Sequence, residues 1–167
     1  MEKLHKDQRG FSLIELVIVI ALTGIVTTAI TMTLFQVFNM NTRTSNRMIA
    51  VSQVQNAGKL VSEDILEAQI VAPGVSSGFP LTLNWTDVAS NKHGIVYTLE
   101  GIVNKPQTLW RSYYFNSVLN STTKVAEYIA AGTSCIRVGD SLKFTVTATV
   151  GNETETRVYE VRPRPGS

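Results

Sequence analysis

Between Phe11 and Phe38 the chain carries no proline and a single charge, Glu15. As an α-helix, at about 1.5 Å per residue, this run would reach roughly 42 Å. About 20 apolar residues are enough to cross the hydrocarbon core of a bilayer. The run is therefore expected to span a membrane, with Gln36, Asn39 and Asn41 emerging into water. Lys3, Lys6 and Arg9 precede it, and the next cation is Arg43. That asymmetry predicts a single pass through the cytoplasmic membrane, N-terminus in the cytoplasm and the remainder outside.

Glu15 is the anomaly in this run. At the centre of a membrane helix a charged residue such as Asp costs about 2.5–3.5 kcal/mol even on insertion-based scales. A carboxylate kept there needs a partner or a task, unless it sits near the headgroups and snorkels. A cleaved secretory signal needs a shorter apolar region and a small-residue cleavage site, and a plain anchor explains the length but not Glu15.

The stretch "GFSLIELVIVIALTGIV", from Gly10, resembles the leader junction of type IV pilins and pseudopilins. The resemblance covers about residues 1–40. It implies a leader of residues 1–10, cut after Gly10 by a prepilin peptidase that then methylates the new N-terminus at Phe11. Glu15 falls on the fifth position of the mature chain, where the family has its glutamate. There the resemblance implies pairing with the N-terminal amine of a neighbouring subunit, which offsets the cost of the carboxylate and sets axial register. Many major pilins carry a proline near mid-helix. Here position 32 is methionine and the first proline is Pro73, which favours a minor subunit or pseudopilin.

Residues 39–72 read as an amphipathic continuation of the helix 11–38, with fraying or a bend tolerated around 39–47. Ala50, Val54, Ala57, Val61, Ile65 and Ala68 recur at spacings of three and four and so share one face. Lys59, Glu63, Asp64 and Glu67 are assigned mostly to other faces, and Gly58 is a weak point. Pro73 and Gly74 are expected to stop the helix at Ala72.

Residues 73–162 change to β-formers at period two. Strands are expected at Leu81–Asp87, Gly94–Gly101, Gln107–Ser117, Lys124–Ala130, Cys135–Val138, Ser141–Val150 and Glu155–Val161. In the sixth, Leu142, Phe144, Val146, Ala148 and Val150 should face one core. The tail, residues 163–167, is too proline-rich to continue a sheet. The fold class is thus α+β, type IV pilin-like: a long N-terminal helix on a mainly antiparallel head. Tyr97, Leu99, Leu109, Arg111, Val125, Glu127 and Ile129 loosely resemble a pattern of the J-type minor pseudopilins of type II secretion.

With 17% charged residues and a net charge of +2, no nucleic-acid contact is expected. The one cysteine, Cys135, excludes an intrachain disulfide and reads as a buried small hydrophobe. No metal-ligand spacing, cofactor motif or catalytic signature is present. His93 is expected in an exposed turn and Glu127 in a salt bridge or at an edge. About half of Trp85, Trp110, Tyr113, Tyr114 and Phe115 are expected in the core. The reading is a non-enzymatic minor pilin or pseudopilin of a type IV pilus or type II secretion pseudopilus. Its partners would be the prepilin peptidase, other pilin-like subunits and the membrane. The alternative is a membrane-anchored extracytoplasmic binding protein that does not polymerise.

Overall fold

The computed structural model describes residues 12–102 and 105–165. The chain divides into two compact units between Thr42 and Arg43. One helix, α1 (Leu13–Glu67), contributes to both. No helical break occurs over 39–47.

In the first unit the apolar side chains of α1 have no protein neighbours to cover them: Leu16, Ile20, Val26, Leu34 and Phe38 are all exposed. A lone helix can tolerate that in lipid, where its own ladder satisfies every backbone group.

The second unit is an eight-stranded antiparallel sheet: β1 (Ile70–Gly74), β2 (Gly78–Thr86), β3 (Lys92–Glu100), β4 (Gln107–Phe115), β5 (Val118–Ile129), β6 (Ser134–Val138), β7 (Ser141–Val150) and β8 (Glu153–Val161). The strand order is β1-β2-β3-β4-β5-β7-β6, and β8 pairs with β7. The C-terminal half of α1 lies against it. Ala50, Val54, Ala57, Val61 and Ile65 are completely buried, as is Ala68 just past the helix end, so the heptad-like face is the core face. Burying each larger aliphatic side chain contributes roughly 1.5–3 kcal/mol. Leu142, Phe144, Val146 and Ala148 of β7 are likewise fully buried, and Val150 nearly so.

The helix ends at Glu67, not at Ala72, and a strand not expected from the sequence, β1, follows at once. Gln69 N–H donates to the Asn84 carbonyl at 3.0 Å, and Ile70, Val71 and Ala72 then pair with Asn84, Leu83 and Thr82. Ile70 and Val71 are β-branched and pack well on a pleated surface. The open edge of β2 outcompetes further helical turns. The head therefore begins before residue 73. β5 is also longer than expected, starting at Val118 and pairing along most of β4.

Gly58 is no weak point. It is buried on α1, and a Cβ there would lie 2.0 Å from Cζ of Tyr159 on β8. The missing side chain lets the helix and Tyr159 approach closely.

Candidate assembly segment and its support

Ser12 precedes α1, and Glu15 stands in the first turn. The Glu15 amide donates to the Ser12 carbonyl at 3.0 Å. A carboxylate in a first turn is favoured by the unpaired N–H groups and dipole of the helix end. Gly10 and Phe11 lie outside the described residues. Further along, the hydroxyls of Thr23, Thr27, Thr28, Thr31 and Thr33 each donate to the carbonyl four residues earlier at 2.7–2.9 Å. These five hydroxyls are thereby satisfied within the helix itself. By length and composition α1 can cross a membrane.

A family model, the prokaryotic N-terminal methylation motif, matches residues 5–31, spanning Gly10, Phe11 and Glu15. The chain carries the N-terminal signature of type IV pilins and pseudopilins. The pilin-like architecture beyond the motif, one long helix on an antiparallel sheet, agrees with it. No curated protein and no solved structure gives a match to the chain.

The pilin-like head is locked to its helix by a buried polar cluster that helical periodicity alone did not reveal. Asp64, assigned from the sequence to an outer face, is buried at 6% exposure. It accepts bonds from Arg111 Nε at 2.6 Å and Arg111 Nη2 at 3.0 Å, and a short one from the Tyr97 hydroxyl. Tyr97 and Arg111 are direct cross-strand partners on β3 and β4, as are Leu99 and Leu109. The tyrosine–leucine and leucine–arginine pairs singled out in the sequence are thus one ladder, and their polar ends converge on the helix. Burial, followed by the nearby Asp64 carboxylate, pushes the Tyr97 phenol well above its usual range. The hydrogen bond to Asp64 holds the Arg111 guanidinium still more firmly charged.

His93 is not in a turn. It belongs to β3, opposite Trp85 and Phe115 in register. Its ring stacks on Trp85 with centroids 5.1 Å apart. Nδ1 lies 2.8 Å from the Tyr113 hydroxyl and Nε2 lies 3.2 Å from Asp87 Oδ2. Asp87 closes the β2–β3 turn by accepting from the Asn91 amide at 2.8 Å and from Asn91 Nδ2 at 3.0 Å. These bonds from Asn91, then that from His93, lower its pKa to about 2. The short spacing between Trp85 and His93 was the available clue, because a tight turn makes them strand neighbours.

Of the five aromatics, Trp85 and Tyr113 pack against the core, and Phe115 is exposed. Trp110 and Tyr114 are half-buried, and strand alternation sets them on the opposite face from Tyr113. Glu127 pairs with Lys124 at 2.8 Å. Cys135 is completely buried, and burial pushes its thiol up to about 12. Among the described residues no cluster of His, Cys, Asp and Glu is suited to a metal ion.

Proposed function

We propose that the chain is a minor pilin or pseudopilin subunit. A prepilin peptidase cuts after Gly10 and methylates Phe11, and the subunit then assembles into a type IV pilus or a type II secretion pseudopilus. The observation that carries this reading is the methylation motif at residues 5–31, which includes the first turns of a helix able to span a membrane. Before assembly the helix holds the subunit in the cytoplasmic membrane with the head outside. Cleavage frees an amine at Phe11, four residues from Glu15 and so near the same helix face. Within one chain that amine and carboxylate are close in sequence. Between chains the carboxylate of an incoming subunit meets the amine of its neighbour, which neutralises both in an apolar surrounding. The role is structural: the helix supplies the filament contact and the head sets neighbours. The chain is a substrate of the peptidase and not itself an enzyme.

Mass spectrometry of the protein from native membranes tests this, with a Glu15→Val variant alongside. The expected mature chain starts at N-methylated Phe11. The variant should be cleaved normally but fail to co-purify with other subunits. A chain that still begins at Met1 in cells with active peptidase would refute the proposal and leave an anchored binding protein.

A further inference from the structure

The sheet brings two of its strands, β1 and β6, close together without a ladder between them. β6 is tied to the β1–β2 connection, where the Cys135 amide donates to the Ser77 carbonyl at 2.8 Å. Gly78 makes that tie possible: its φ is +89°, and a Cβ there would lie 1.9 Å from the Cys135 carbonyl oxygen. Beyond the tie lies a groove of about 440 Å³. Ile70 and Val71 of β1, Arg137 of β6, Asp140, and Arg162 and Arg164 of the C-terminal tail line it.

Three features of this groove point the same way. Its charge is one-sided, with three arginines against one carboxylate. Asp140 is already engaged by Arg162 at 2.9 Å, and Arg137 and Arg164 form no ion pair among the described residues. The guanidinium fork matches a carboxylate in geometry as well as charge. Ile70 in its lining is 63% exposed, and Ile136 and Val138, which flank Arg137 on the other face of β6, are exposed at 48% and 51%. Finally, β1 pairs only with β2 and ends the strand order, so its outer N–H and C=O groups form an open edge. The tail beside it forms no ladder with that edge: residues 162–165 belong to no strand.

We propose that this groove receives an extended, acidic segment of a partner protein, which adds a strand to the open edge of β1. Its backbone pairs with Ile70–Ala72, short of Pro73 and the bulge that follows, its carboxylates meet Arg137 and Arg164, and its alternate apolar side chains lie against Ile70 and Ile136. Strand addition takes affinity from main-chain bonds and specificity from side chains. The proposal is independent of leader processing and polymerisation.

The test uses the full chain in detergent micelles and a fluorescein-labelled decapeptide of alternating valine and glutamate, read by anisotropy. Binding should weaken about tenfold in an Arg137→Glu/Arg164→Glu variant, as expected for two surface charge contacts reversed together. The same variant should acquire affinity for a valine–lysine decapeptide, a gain that misfolding would not produce. Asp140→Ala, which frees Arg162, should tighten binding of the acidic peptide. N-methylation of alternate peptide bonds in the probe should abolish it. Equal binding of acidic and basic peptides to the unmodified chain would overturn the proposal. So would indifference to N-methylation, or full displacement of the peptide by citrate at equal carboxylate concentration, which would indicate a small-anion site.

Discussion

Replacing Asp64 by alanine should destabilise the head far more than any other change to a charged residue on α1. The carboxylate accepts from Arg111 at 2.6 and 3.0 Å and from the Tyr97 hydroxyl. Removing one partner of a buried ion pair costs about 3–5 kcal/mol. The Arg111 side chain keeps 21% of its exposure, so water relieves part of its lost pairing and the lower figure, about 3 kcal/mol, applies. Tyr97 has no exposure at all. Its orphaned hydroxyl adds about 1 kcal/mol, the low end for a buried unsatisfied group. The total is about 4 kcal/mol. With a urea slope of about 2 kcal/mol/M for a small domain, the unfolding midpoint should fall by roughly 2 M. Both tryptophans, Trp85 and Trp110, lie in the head, so fluorescence of the full chain in micelles reports the transition.

The decisive comparison is Asp64→Ala/Tyr97→Phe. Removing the orphaned hydroxyl should raise the midpoint above that of Asp64→Ala by about 0.5 M, although the double variant has lost one polar group more. Glu63→Ala is the control. Its contact with Lys59 is 4.0 Å long and exposed, so the midpoint should not move. A shift below 0.5 M for Asp64→Ala, or a double variant weaker than the single, would refute the argument.

Gly58→Ala should destabilise by about 1–2 kcal/mol despite the better helix propensity of alanine, because its methyl meets the Tyr159 ring and overpacking outweighs a gain of up to about 1 kcal/mol. In a Tyr159→Ala background the sign should reverse, and thermal unfolding that shows the same sign in both would count against the contact. Asp87 has a pKa lowered from 3.8 to about 2, so the folded state holds its proton less tightly than the unfolded state. Its contribution to stability is complete above about pH 4 and should disappear as the pH falls through 2. An Asp87→Asn variant should show a flatter acid limb over pH 4 to 2, and an Asp87 carboxyl resonance titrating near 4 in the folded protein would contradict it.

Legibility differed by region for physical reasons. The buried face from Ala50 to Ala68 could be read because a helix repeats every 3.6 residues and a core needs one apolar stripe. β7 could be read because one face is wet and the other dry. Asp64 could not be read, since a charged residue is normally assigned outward. Only the arrival of Arg111 and Tyr97 from distant strands makes its burial tolerable. Ile70–Ala72 was misread because a short apolar segment after a helix suits either structure, and pairing with β2 decides the matter. His93 was misplaced by the glycine and lysine beside it, which suggested a turn at a position that is a strand.

What the sequence by itself determined is local and periodic: the apolar run from Phe11 to Phe38, the lone carboxylate at Glu15, the methylation motif at residues 5–31, and a helix followed by strands. These depend on residue type and spacing along the chain, which solvent and peptide geometry convert directly into structure. Only the tertiary structure decided where Glu67 ends the helix, why Gly58 has no side chain, and how Asp64 finds Arg111 and Tyr97. It also decided that Arg137, Arg162 and Arg164 share one groove. Those features depend on side chains tens of residues apart meeting at ångström distances, where burial sets the cost of a charge and its neighbours set the compensation.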